Sequence, residues 1–301
     1  DGDLRSLTAP TRGADEGRLR SNPMFEDVFR QQVSGTPFGI AAGKFDNLMA
    51  DGLAVTDYTN NQVLLFHNLP SSRSFVQSGI LNTGFRPITL AFYDFDGDSN
   101  LDLIVGGDTS SVKVFWGDGT GGFPEMTEVE TYGATSNLVP EPYQLYDSLR
   151  IVFVTHSEFI PPNFTAGYIG LIMNLGDRQL CYDRQRAPNF VDPDTIAYCP
   201  TSILVGDIGG DNRVEIAGIQ ANGYFTNWEF INIYLLNVPC GHNGFTRDGS
   251  YRQMAGLGGN YTYANSIIMG DFDNDNDRDF ITTGTSSELK ATLTSSLNLC
   301  L

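Results

Sequence analysis

The chain has 301 residues and carries 18 Lys+Arg against 36 Asp+Glu, a formal net charge of −18. Hydrophobic residues make up 41% and aromatic residues 12%, enough for a sizeable core, so this is not the acidity of a disordered tail. The same charge argues against a nucleic-acid binder, which presents a basic face to phosphate, and against docking on anionic membranes.

Residues 1–23 are polar and Arg-containing and read as an N-terminal arm or linker, or as the junction to an upstream domain. The chain starts at Asp1 with no apolar leader, the pattern expected of a mature or trimmed chain. Asn22 to Gln32 is the best helical stretch, and it is short. From residue 24 to 301 the pattern is one of strands and turns. Apolar runs such as Val63–Phe66, Leu103–Val105 and Ile151–Val154 are short, rich in Val, Ile, Phe and Tyr, and bounded by Gly, Asn, Asp or Ser. No run approaches 18 apolar residues, so no membrane-inserted helix is expected.

One segment recurs along the chain. It reads AAGKFDNLMADGLAV at 41–55, LAFYDFDGDSNLDLIVG at 90–106, LVGDIGGDNRVEIAG at 204–218 and IMGDFDNDNDRDFITTG at 268–284. A fainter copy is QLYDSLRIVFV at 144–154. The first loop positions are Lys44, Asp94, Asp147, Asp207 and Asp271, spaced by 50, 53, 60 and 64 residues. A strand running into a Gly-rich turn and a Phe follows, most clearly in VFWGDGTGGF at 114–123. Each unit has the size of one four-stranded sheet with its loops. Such a sheet cannot bury both faces alone, and radial stacking of several solves this.

The loops themselves carry chemistry. In DFDGDSNLD, carboxylates stand at positions one, three, five and nine: Asp94, Asp96, Asp98 and Asp102. In DFDNDNDRD they are Asp271, Asp273, Asp275, Asp277 and Asp279. Alternate spacing in a tight loop turns side-chain oxygens inward, and position seven, Asn100 or Asp277, offers its backbone carbonyl. Hard oxygen donors in this number suit Ca²⁺ better than the stricter octahedron of Mg²⁺. The loop is not an EF-hand: position six is Ser99 or Asn276 rather than Gly, and position twelve is Val105 or Thr282 rather than Glu. Two structural Ca²⁺ ions are expected at these loops. A third, weaker set is Asp207, Asp211, Arg213 and Glu215, where Gly209 replaces the third carboxylate. At 44–52 Lys44 and Leu48 replace two acids, so this loop reads as a solvated turn without a metal; the alternative is an internal ion pair in which Lys44 supplies the cation. The Asp147 copy reads as metal-free.

These units resemble the FG-GAP/VCBS repeats of integrin α-subunit-type β-propellers over roughly residues 36–301. The resemblance implies an all-β propeller of four-stranded blades, with an acidic Ca²⁺ loop between the first two strands of a blade. Five units are countable; a closed five-bladed ring and a portion of a seven-bladed one are the two readings. Residues 24–35, MFEDVFRQQVSG, are a candidate for the strand missing from the short last unit. Relatives of this kind include lectins and adhesion receptors, which implies a protein or glycan ligand.

Four cysteines, Cys181, Cys199, Cys240 and Cys300, lie outside any metal-ligand spacing and fit two disulfides. Cys181–Cys199 closes the shortest loop, leaving Cys240 for Cys300. With the sequons at Asn163 and Asn260 they point to a secreted or cell-surface glycoprotein. His67, His156 and His242 fall in separate units, and no GxSxG, HExxH or Walker A pattern occurs. The expectation is a non-enzymatic binding or adhesion module. A structural scaffold of a self-assembling surface array and a polysaccharide lyase or hydrolase are the alternatives. Tyr224, Trp228, Tyr261 and Tyr263 are the candidate ligand-contacting aromatics, and Pro161–Asn163 the candidate overhanging insertion.

Overall fold

The computed structural model describes residues 32–33, 35–48, 50–72, 74–131, 133–140, 150–160, 164–185, 202–206, 215–221, 229–236, 245–251, 263–270 and 279–285. They form an all-β chain of antiparallel sheets, with one 3₁₀ turn at Pro70–Ser72. No helix among them is long and apolar enough to cross a membrane. Most of the Asn22–Gln32 segment, and most of residues 24–35, lie outside the described residues.

The sheets are meanders in which each strand pairs with the next in sequence. The first contains β1 (Pro37–Gly43), β2 (Gly52–Asp57), β3 (Gln62–Leu69) and β4 (Ser74–Asn82). The second contains β5 (Pro87–Tyr93), β6 (Asp102–Gly107), β7 (Ser111–Trp116) and β8 (Glu125–Glu130). The third contains β9 (Ala134–Pro140), β10 (Arg150–Ile160), β11 (Phe164–Asn174) and β12 (Leu180–Gln185). The fourth contains β13 (Ser202–Gly206), β14 (Glu215–Ala221), β15 (Glu229–Leu236) and β16 (Phe245–Tyr251). The fifth is a pair, β17 (Tyr263–Gly270) and β18 (Asp279–Thr285).

The sheets lie against one another through their first strands: β1 against β5, β5 against β9, β9 against β13, and β13 against β17. The second sheet shows why its sequence is apolar without alternation. Leu103 and Val105 of β6 join Ala54, Val63 and Leu65 of the first sheet in one cluster. Ile104, between them, points the other way and joins Val152, Ile172 and Leu138 of the third. A strand covered on both faces reads as a continuous hydrophobic run, whereas the half-exposed edge strand β8, EMTEVE, is polar. Trp116 and Phe95 stack at the centre of the second cluster, 6.2 Å apart.

The first hairpins share a loop length. Gly43 pairs with Gly52, Tyr93 with Asp102, Gly206 with Glu215 and Gly270 with Asp279. Eight residues intervene in each: 44–51, 94–101, 207–214 and 271–278. The third sheet departs from this, and the expected insertion at Pro161–Asn163 lies outside the described residues. In this sheet β10 and β11 pair continuously from Arg150↔Asn174 to Ile160↔Phe164. Their far ends run past β9, whose pairing stops at Ser157, and past β12, whose pairing stops at Ile169.

Candidate metal centre

Asp94 and Asp102 bracket the second-sheet loop, held by the Tyr93↔Asp102 register. Two residues take left-handed backbone, Gly97 at φ +85° and Ser99 at φ +73°, which folds eight residues into a tight turn. The aspartates shape the turn as well as charging it. Asp94 accepts from the Gly97 N–H at 2.8 Å, Asp96 from the Asp98 N–H at 3.1 Å, and Asp98 from the Asn100 N–H at 2.8 Å. Alternate spacing is thus also a chain of Asx-type turns, each side chain accepting from backbone two or three residues on.

Asp102 is fully buried at the head of β6. Its two oxygens accept from the Phe95 N–H and the Gly117 N–H, both at 2.8 Å, tying the loop to the end of β7. Burial pushes its carboxyl up to about 6, the neighbouring Asp96 and Asp98 charges add to the rise, and the two N–H groups oppose it.

Among the described residues one cluster has the composition and closeness of a metal site. One oxygen each from Asp94, Asp96 and Asp102 lies within 4.8 Å of the others. Two oxygens across a Ca²⁺ ion stand at most about 5 Å apart, given bonds of roughly 2.5 Å, so the three fit that ion. Asp98 is not one of this group: its oxygens accept from the Asn100 N–H and side-chain amide, at 2.8 and 3.0 Å.

The third sheet reaches into the same place. The β11–β12 turn carries Gly176, Asp177 and Arg178 in left-handed backbone, at φ +104°, +50° and +59°. Arg178 donates to Asp96 at 2.8 Å and to Glu125 at 2.6 Å, and its guanidinium lies 5.0 Å from the Trp116 ring centroid. Asn174 donates to the Phe95 carbonyl at 2.8 Å. Sequence reasoning missed both residues. They stand 82 and 79 positions from their partners, and only the sheet packing brings them together.

The first-sheet loop shows a different solution. Lys44 is exposed, and the side chain that pairs with the buried Asp46 carboxylate is His67, through Nδ1. Gly52 occupies the place Asp102 holds in the second sheet. A Cβ there would come within 2.5 Å of the Phe45 ring and 2.7 Å of the Phe66 backbone carbonyl oxygen, so a side chain at this place requires both to shift. The β7–β8 turn covers this loop much as the β11–β12 turn covers the next. Phe123 packs 6.0 Å from Phe45, and a Cβ on Gly121 would lie 3.2 Å from His67.

Of the remaining candidates, Glu215 and Asp279 head β14 and β18, opposite Gly206 and Gly270. They hold the register position of Asp102. Asp207, Asp211, Arg213, Asp271, Asp273, Asp275 and Asp277 lie outside the described residues. So do Asp147, Cys199, Cys240, Cys300, Asn163, Asn260, Tyr224, Trp228 and Tyr261. Cys181 is half-buried on β12, opposite Met173, and Tyr263 pairs with Thr285 at the start of β17. No family model matches the chain, and no curated protein matches it.

Proposed function

We propose that this chain is a non-enzymatic, Ca²⁺-stabilised binding module of β-propeller type, in which each sheet is one blade. The observation that carries this reading is the Asp94, Asp96 and Asp102 cluster on a hairpin loop whose length recurs in three other sheets. Meander topology and contact between successive first strands support the radial arrangement. Asp94, Asp96 and Asp102 would hold the ion, and Glu215 and Asp279 head the equivalent strands of two further loops. Bound Ca²⁺ would supply charge neutralisation and a clamp between β5 and β6. A cation of this kind raises stability by mass action, because it binds the folded loop and not the unfolded chain.

The ligand of such a module is a protein or a glycan, met by loops between the sheets. The paired sequons and even cysteine count support a secreted or cell-surface setting. The test has two arms. Melting in Ca²⁺ and after thorough chelation is expected to differ by many degrees, and superimposable curves would defeat the cation reading. A glycan array with Ca²⁺ present then separates glycan from protein recognition.

A further inference from the structure

Asp96 stands in the acidic loop with both oxygens engaged. Oδ1 accepts from the Asp98 N–H, and Oδ2 accepts from Arg178 at 2.8 Å. The first-sheet loop has a matching pair at the same position. Asp46 is its third residue, as Asp96 is the third of the second loop, and Asp46 pairs with His67. In both loops the third-position carboxylate thus has a nitrogen-bearing side chain as resident partner. It comes from β3 in one case and from the β11–β12 turn of the next sheet in the other.

The Arg178 side chain is releasable where its backbone is fixed. Asn174 ties the base of the turn to the Phe95 carbonyl and accepts from the Gly176 N–H at 3.0 Å. The turn closes on itself through the Leu175 N–H to the Gln179 carbonyl and the Gln179 N–H to the Gly176 carbonyl, both at 2.9 Å. None of these bonds uses the guanidinium. The guanidinium also has a second seat: Nη1 already donates to Glu125, and Nη2 lies 4.0 Å from Asp98. The Glu125 side chain is 66% exposed and that of Arg178 32%, so the group can swing outward without crossing packed core.

We infer that Arg178 is an exchangeable counter-ion, which neutralises Asp96 while the loop holds no metal and withdraws to Glu125 when Ca²⁺ takes that carboxylate. The inference rests on the reading of this loop as a Ca²⁺ site, and adds that its affinity is set from the neighbouring sheet. A divalent ion and a guanidinium on one carboxylate repel each other, so each weakens the other's hold by the same factor. The exchange has a built-in reporter. Trp116 is buried, stacks with Phe95 and donates its Nε1–H to Thr127 at 2.9 Å, and Arg178 lies over its ring. Withdrawal therefore changes the charge beside an indole that stays in place.

The test uses the full chain carrying Trp228→Phe, which leaves Trp116 as its one indole. Trp116 emission and heat are followed in parallel Ca²⁺ titrations, and the phase that Asp94→Asn removes is the one belonging to this loop. The expected result is a saturable emission change in this parent. In Arg178→Gln the loop should bind Ca²⁺ at least about fivefold more tightly, with no emission change. Glu125→Gln removes the second seat and should lower the affinity, but only where Arg178 is present. A Glu125→Gln effect of equal size in the Arg178→Gln background would overturn the inference in favour of general electrostatics. Equal or weaker binding by Arg178→Gln, an indole that does not respond in the parent, or an emission change that survives the substitution would overturn it too. In all these cases the parent still binds Ca²⁺, so the cation reading survives them, whereas absence of the loop's phase from the parent would remove both.

Discussion

Arg178 donates through Nε to Asp96 at 2.8 Å, across the interface of two sheets. One guanidinium thereby joins the acidic loop, the edge strand β8 through Glu125, and the indole of Trp116. It neutralises part of a site that is otherwise purely anionic. It also competes for the carboxylate that a metal ion would take.

Arg178→Gln is therefore expected to act in two directions. Without Ca²⁺ it should destabilise the protein by about 1–2 kcal/mol, since the partly exposed ion pairs and the ring contact are lost together. With Ca²⁺ the loss should shrink, because Asp96 is released to the ion. Urea unfolding with and without Ca²⁺ checks both; equal losses in the two conditions would remove Arg178 from any role at the site.

Asp102 and Asp94 should differ when each is changed to Asn. The buried Asp102 accepts two backbone N–H groups, and an amide presents one N–H₂ where an acceptor is required. A cost of about 1–3 kcal/mol is expected for Asp102→Asn even under chelation. Asp94→Asn keeps an acceptor for Gly97, so its main effect should be a roughly tenfold or greater loss of Ca²⁺ affinity. Calorimetric titration and chelated melting separate the two.

The raised Asp102 carboxyl sets a pH dependence whose sign follows from linkage. Its folded value of about 6 lies above the ordinary 3.8, so the metal-free folded state holds the proton more tightly. This group's contribution to stability is full below about pH 4 and is lost as pH rises through about 6. In chelator, Tm should rise between pH 7 and pH 5; with Ca²⁺ it should fall, because protons then displace the ion. Asp118, held low by the backbone and side-chain hydrogen bonds from Thr120, contributes the opposite slope below about pH 4. A chelated Tm that falls on acidification to pH 5 would contradict the assignment.

Ile104→Ala should cost about 2–5 kcal/mol, since its fully buried side chain lies in the cluster that joins the second and third sheets. His67→Ala should cost about 1–3 kcal/mol by leaving the buried Asp46 carboxylate without its partner. A double-mutant cycle with Asp46→Ala should recover a coupling above 0.5 kcal/mol or so if the pair acts as a unit.

The strands around Leu103 and Ile151 were legible because short apolar runs flanked by Gly and Asp have few other uses. The clustering of carboxylates at Asp94, Asp96 and Asp102 was legible because their spacing is local. Arg178 and Asn174 were not, since no pattern near either one states what lies across a sheet interface. The His67–Asp46 pair was not legible for a related reason: Asp46 belongs to the preceding hairpin loop, 21 positions away, while Lys44 stands in the loop itself. The length of β10 and β11 was not legible, because the apolar run Ile151–Val154 marks only the first part of β10.

The shared eight-residue spacing also makes the acidic segment a replaceable cassette. The first loop has Lys44, Leu48 and Gly52 where the second has Asp94, Asp98 and Asp102, yet both hairpins close in the same register. Strand pairing is thus indifferent to the loop's charge, so on the proposed reading ion affinity can differ from one hairpin to the next. Gly52 marks the boundary of that freedom: a side chain at this place meets both the Phe45 ring and the Phe66 backbone carbonyl, so an acid there requires the hairpin itself to shift.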